Sequence, residues 1–318
     1  MHKCHRSPAV AIVLSLCLLP LASREARAQD AGPLALLLPK GARAASMGNA
    51  WVAGRDEYAI FHNPAQVSAS SGFGLTAALF AVDARAVSLA SASAVGPVTL
   101  GWGVQFVDFS MPRTNTAYPF KPDALTERGD ASLFSLVAVA AGQSTYKDFR
   151  IGVAAKYAED AAPRETSASG LLVTPARGSA FLADAGVSHA LWTGTAGLAV
   201  QNIAHPYRLG ADRFAVPTQA VLGWAAQKPL GPLDVALATQ LIARRGGWLG
   251  AGGGIEVGWS WIEGYNIAGR VGARRTESPG ERPVGLGFGF TADRLNVDYG
   301  VNLFEGNTAA HYVTVRWR

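Results

Sequence analysis

The 318-residue sequence predicts an all-β membrane protein: an antiparallel outer-membrane β-barrel of about fourteen strands, with a short, partly helical plug at its N-terminal end. Three observations predict it. Apolar residues recur at every second position in segment after segment, the period of a strand with one apolar face. Most of these segments approach the roughly 9 to 11 residues of a tilted membrane strand, where strands of soluble sheets are nearer 5 or 6. The connections between them alternate between tight and long, as in a bacterial barrel with short turns at one rim and longer loops at the other.

The chain opens on a segment outside that fold. Lys3, His5 and Arg6 precede an apolar run from Ala9 to Leu21, and Ala26-Arg27-Ala28 supplies a small-x-small cleavage site before Gln29. Residues 1–28 therefore read as a secretory signal peptide, since the run is shorter than the roughly 18 to 20 apolar residues of a spanning helix. Leu16 before Cys17 does not suit a lipoprotein signal, which wants a small residue there. Both cysteines, Cys4 and Cys17, fall within this segment, so the mature chain relies on burial and hydrogen bonding, without disulfides or thiolate metal sites. Its removal takes four of 28 Lys and Arg and one of 23 Asp and Glu, leaving 24 bases against 22 acids. With that balance, and no basic stripe interleaved with aromatics, a nucleic-acid partner is not expected.

Residues 29–70 precede the first strand and contain helix-compatible pieces such as Ala42 to Trp51. The barrel follows over residues 71–318, with strands expected near 72–82, 85–95, 98–109, 131–143, 148–159, 179–190, 193–203, 217–228, 232–243, 248–261, 264–274, 283–292, 294–303 and 309–318. Val98, Leu100, Trp102, Val104 and Phe106 share one face of the third segment, and Thr99, Gly101, Gly103 and Gln105 the other. Ile151, Val153, Ala155 and Tyr157 repeat the pattern, as do Val284, Leu286, Phe288 and Phe290 against glycines alone. The clearly long connections, 110–130, 160–178, 204–216 and 275–282, all follow odd-numbered segments. If the first strand runs outward, the long connections are extracellular and both termini periplasmic. A soluble β-sandwich would explain the alternation but neither the loop parity nor the strand length. In lipid an open sheet edge has no partner, so the sheet must close. Many inward positions are Gly, Ala or Ser, which leaves room in the lumen for the N-terminal segment.

That segment also carries a family likeness. "LLPKGARAASMGNAWVAGRDEYAIFHNPA" resembles the N-terminal hatch of the PorV/PorQ family, within the wider FadL-like group of outer-membrane barrels, which has a similar Asn-Pro-Ala. "AGLAVQNIAHPYRLGADRFAVPTQAVLGWA" is similar to the family's strand ending in Gln-Asn, its loop, and the Pro that opens the next strand. "GLGFGFTADRLNVDYGVNLFEGNTAAHYVTVRWR" is similar to its closing hairpins. The resemblance implies a fourteen-strand barrel. The chain departs from the pattern in ending Trp317-Arg318, where such barrels end on an aromatic residue.

No catalytic group, metal site or cofactor is expected. Asp56 and Glu57 beside His62 sit in a short polar turn without a serine nucleophile, and His62, His189, His205 and His311 are far apart in sequence. "GGWLGAGGG" lacks the Gly-Lys-Ser/Thr of a phosphate-binding loop; glycines in a strand mark a bend or a close approach of backbone. Arg43, Asp56, His62, Asn63 and Pro64 are the candidate hatch and ligand residues. Arg43 and Asp56 are expected to tie the plug to lumen charges such as Asp184, Asp234, Lys156 and Arg150, because buried charges survive only when paired. Asn63-Pro64 is expected to turn the chain at the end of a hatch helix. Tyr118 and Phe120, with Leu171 and Leu172, place apolar groups in long loops and are candidate outer contacts, loop self-packing being the alternative. Trp192 suits an interfacial girdle, as do Trp259 and Trp261. Two functions fit such a barrel in outer-membrane lipid: binding or passage of a hydrophobic small molecule, or, from the PorV resemblance, receipt of secreted cargo in type IX secretion with other secretion proteins as partners. A purely structural envelope protein is the third.

Overall fold

The computed structural model describes residues 33–69, 72–80, 84–108, 134–166, 173–209, 212–276 and 280–317. Residues 1–28, expected as a signal peptide, and Tyr118, Phe120, Leu171 and Leu172 lie outside the described residues. The strands are β1 (Gly72–Leu79), β2 (Arg85–Val95), β3 (Val98–Asp108), β4 (Phe134–Tyr146), β5 (Phe149–Thr166), β6 (Val173–Leu191), β7 (Gly194–Ile203), β8 (Tyr207–Leu209), β9 (Asp212–Phe214), β10 (Gln219–Leu230), β11 (Leu233–Arg244), β12 (Leu249–Ile262), β13 (Tyr265–Arg274), β14 (Glu281–Ala292), β15 (Leu295–Phe304) and β16 (Ala309–Trp317). All but β8 and β9 form one closed, antiparallel barrel of fourteen strands. β16 returns to β1, from Phe73 opposite Trp317 to Leu79 opposite His311. Closure leaves no row of unpaired backbone groups, which a bilayer demands.

Each strand has two faces because each meets a different medium. Leu100, Trp102 and Phe106 of β3 are exposed on the outside, while Gly101, Gly103, Gln105 and Val107 between them are buried. The turns obey the expected parity. The pairs 96–97, 147–148, 192–193, 231–232, 263–264 and 293–294 each join two barrel strands, and the other connections are longer. Two-residue turns matching strand twist need positive φ; Gly96, Lys147, Trp192, Gly231, Gly264 and Asp293 supply it.

Two features differ from expectation. Much of 160–178 is strand, because β5 and β6 stay paired through Ala162 opposite Ala176 and end near Thr166 opposite Val173. Apolar alternation fades there while the ladder continues, since a paired ladder satisfies its own backbone without needing lipid on one side. The connection 204–218 holds the small β8–β9 hairpin, whose three-residue strands are too short to display a period.

The plug threads the lumen as a 3-10 turn (Leu34–Leu36), a short helix (Ala42–Ser46) and two further 3-10 turns (Glu57–Phe61 and Pro64–Ala69). It fits because inward glycines notch the wall. A Cβ at Gly254 would stand 2.7 Å from the Met47 Cα, at Gly287 2.5 Å from the Ser46 Cβ, and at Gly101 2.9 Å from a Val67 methyl. The helix ends at Gly48 and Asn49, both with positive φ, where the chain turns against β12 and β13.

Candidate functional site

Three positive and three negative side chains link plug to wall. Arg43 grips Glu256 of β12 at two points, Nε to Oε2 at 2.8 Å and Nη2 to Oε1 at 2.7 Å. Arg270 of β13 joins Glu256 to Asp298 of β15, its Nη1 lying 2.7 Å from Asp298 Oδ1. Arg316 of β16 donates to Asp298 Oδ2 from Nη2 at 2.7 Å, and its Nη1 lies 3.8 Å from Glu57 Oε2 of the plug. The chain of charges starts and ends on the plug and is neutral overall, the arrangement in which buried ions are tolerable. These partners correct the expected ones. Asp56 is bound within the plug, accepting from Trp51 Nε1 at 2.8 Å and from the Tyr58 N–H at 3.0 Å. Lys156 pairs with Asp184 instead, at 2.5 Å, and Arg150 donates to Ser188. Asp234 takes no part in these pairs.

On the opposite wall the Asn-Pro-Ala turn is a seat. Asn63 is fully buried; its Oδ1 accepts from the Ala65 N–H at 3.0 Å and its Nδ2 donates to the Val52 carbonyl at 2.9 Å. Gly186 and Gly197 leave space for the Asn63 side chain, and Gly152 for the Pro64 backbone. The expected turn is present: the Glu57–Phe61 turn stops at His62 and Pro64 opens the next. Gln201 donates to the His62 carbonyl. It can do so because β7 bulges against β6 between Ala183 and Ala185, placing both Gln201 and Asn202 on the inner face, with Asn202 at φ 57°. Asp184 accepts from the Asn202 N–H at 2.7 Å, and Lys156 donates to Asn202 Oδ1 at 3.1 Å. The Gln-Asn pair read in the sequence is thus a wall bulge that holds the hatch. His62 itself is half-buried with its ring Nε2 shielded from solvent; that desolvation, with Lys40 and Lys156 nearby, pushes its pKa down to about 3. Burial and Lys156 likewise hold Lys40 well below an ordinary lysine.

Toward the rim of long connections the lumen turns apolar. Phe80, Val107, Val137, Leu182, Phe304 and Tyr312 of the wall cluster with Leu38, Ile60 and Phe61 of the plug. The β8–β9 hairpin folds over this cluster. Tyr207 is buried, its hydroxyl 3.1 Å from Asp160 Oδ2, and Phe214 packs beside it with ring centroids 5.8 Å apart. Toward the rim of short turns a cavity of about 340 Å³ lies between the plug and β10–β11, bordered by Arg43, Trp51 and Arg55. Arg43 stacks on Trp51 at 5.2 Å, and Arg55 donates to Thr195 at 2.8 Å.

The lipid-facing side carries aromatics near the short-turn rim. Trp192 is 86% exposed and stands edge-on to Trp224, while Trp259, Trp261, Tyr265 and Phe290 form a contiguous group. Among the described residues no group of three or more His, Cys, Asp or Glu is placed to hold a metal ion, and no helix is long and apolar enough to cross a membrane.

This is a plugged fourteen-strand barrel with a two-ended lumen, apolar at one end and charged around the plug. No family model and no curated protein matches the sequence. Solved structures do match the fold. The toluene transporter TbuX of Ralstonia pickettii is similar over 87% of this chain and 98% of its own, with TM-score 0.55 and 12% identity. The toluene transporter TodX of Pseudomonas putida is similar over 88% and 97%, with TM-score 0.57 and 10% identity. A FadL homologue of Pseudomonas aeruginosa is similar over 88% and 98%, with TM-score 0.50 and 10% identity. The fold is that of the FadL-like outer-membrane barrels.

Proposed function

We propose that the protein is an outer-membrane channel that binds hydrophobic small molecules and passes them inward. The observation that carries this reading is the apolar cluster at the long-connection end of the lumen, roofed by Tyr207 and Phe214 and floored by a plug locked through ions. An apolar lining accommodates an apolar solute better than a polar one. The toluene transporters similar to it in fold agree with this reading. In this reading residues 1–28 are removed on export, the long connections face outward, both termini are periplasmic, and residues 29–70 are the gate. Arg43, Asp56, His62, Asn63 and Pro64 hold the gate shut; Tyr118, Phe120, Leu171 and Leu172 collect solute. The test is mass spectrometry of what remains bound after extraction of the tagged protein from its own membrane in mild detergent. A defined hydrophobic compound near one per barrel supports the channel. Co-extracted secreted proteins or secretion components would support instead the PorV-like reading that the hatch residues resemble.

A further inference from the structure

The two rims of the barrel carry different charge. At the short-turn rim the described charges facing away from the lumen are Lys147, Lys228 and Arg294 against Asp148, Glu263 and Asp293, which cancel. At the other rim, above β11–β14, Arg245, Arg275 and Arg282 are all exposed, and no described acid pairs with them. Two residues beyond the last β13–β14 pair, Ala273 opposite Val284, the neighbouring chains carry Arg275 and Arg282. Their neighbours Arg274 and Glu281 already pair with each other on the inner face, so Glu281 is not free to neutralise them. Like charges on adjacent strands repel, and the three arginines stay in excess even against Glu277, outside the described residues, and exposed Glu305, whose N–H donates to the Gly280 carbonyl at 2.7 Å.

The patch is held in shape. Arg275 donates from Nη1 to the Leu249 carbonyl at 2.7 Å and lies 5.8 Å from the Trp248 ring centre; Arg244 stacks on the same ring at 4.5 Å. Directly below are lipid-facing Leu241, Leu249, Val271, Val284 and Leu286, all exposed. An anion that settles here must sit at the boundary of the apolar band while an acyl chain covers that band.

We propose that Arg245, Arg275 and Arg282 form a docking site for the phosphate groups of lipid A in the outer leaflet, with its acyl chains lying along Leu241, Leu249, Val284 and Leu286. Guanidinium forks match phosphate oxygens, and such charge-assisted contacts are strong at a membrane boundary. The inference goes beyond the proposed channel activity and rests on that reading only for its orientation, the long connections facing outward.

The test uses the whole protein in nanodiscs, which expose both rims, so the result does not depend on which rim faces the cell exterior. Discs of phosphatidylcholine containing bisphosphorylated lipid A are compared with discs containing a fully dephosphorylated lipid A, and bound glycolipid per barrel is counted by native mass spectrometry. Wild type should retain the bisphosphorylated form. R245Q/R275Q/R282Q should lose about tenfold or more in retention, since each removes a charge-assisted contact to phosphate. R294Q at the other rim should retain it as wild type does. Heat-modifiable gel migration establishes that each variant is a folded barrel; should the triple variant fail it, R275Q alone serves. Equal retention of both lipid forms, unchanged retention in the folded triple or single variant, or equal loss in R294Q would overturn the assignment.

Discussion

Arg43 on the plug and Glu256 on β12 meet in a two-point ion pair across 213 residues of sequence, and Glu256 is held at the same time by Arg270. The wall pair Glu256–Arg270 would be there without the plug, so Arg43 is the removable member. Arg43→Ala leaves the remaining charges unbalanced. Breaking one partner of a buried pair costs about 3 to 5 kcal/mol. The expected outcome is a barrel that still assembles but whose residues 33–69 exchange amide hydrogens faster, with higher single-channel conductance in planar bilayers. Protection equal to wild type would rule out the pair as the lock.

Asn63 is fully buried and satisfies two backbone groups, the Ala65 N–H and the Val52 carbonyl. Asn63→Ala strands both in a dry site, at roughly 1 to 3 kcal/mol for each unsatisfied group. Hydrogen exchange should therefore quicken around Val52 and Ala65 more than around the helix Ala42–Ser46. A uniform change over the whole plug would mean that the turn is not a separate anchor.

The wall glycines make a steric prediction. Gly254→Leu places a Cβ 2.7 Å from the Met47 Cα, and backbone cannot yield as a flexible side-chain tip can. The plug should be displaced while the strands still pair, giving a leaky, heat-modifiable barrel. Gly269→Ala, on the outer face with open space around it, should behave as wild type in the same conductance assay.

The strands were legible and the lock was not, for one physical reason. Lipid outside and plug inside impose the period of two on each strand locally, so Val98 to Phe106 reveals β3 without knowledge of its neighbours. Charge partners are set by closure, which brings Arg43 to Glu256 and Arg316 to Glu57 only once the fourteenth strand returns to the first. Even so a signal was present: Lys156, Asp184, Glu256, Arg270, Asp298 and Arg316 all sit in the inward phase of their strands, where solvent does not explain a charge. The seat for Asn63 was hidden differently, because a bulge shifts phase and two adjacent inward residues, Gln201 and Asn202, break the period that finds strands. The β8–β9 lid was hidden by its shortness.

The lid gives its own prediction. Tyr207 donates its hydroxyl to Asp160 while its ring covers the apolar cluster. Tyr207→Phe keeps the ring and removes the hydrogen bond, about 1.5 to 3 kcal/mol for a bond to a charged group. Faster entry of a toluene-like solute into proteoliposomes is expected, with the plug's hydrogen exchange unchanged. Slower entry would assign the hydroxyl to the solute path rather than to the lid.

His62 gives the plug a pH dependence whose sign follows from its environment. Its pKa in the folded protein is about 3, lowered by burial and by Lys40 and Lys156, against roughly 6.5 for an exposed histidine. Between those two values the released plug binds a proton that the docked plug excludes, so docking weakens as pH falls, by up to about 1.4 kcal/mol per unit, and is fully restored above the exposed value. Lys40, also lowered by burial, contributes with the same sign at higher pH. Acidification from pH 7 to 4 should therefore raise conductance in wild type, and His62→Gln should flatten the response while leaving the Gln201 contact, which uses the His62 backbone carbonyl, in place. An acid response of equal size in His62→Gln would place the titrating group elsewhere, in the plug–wall carboxylates that Arg43, Arg270 and Arg316 hold.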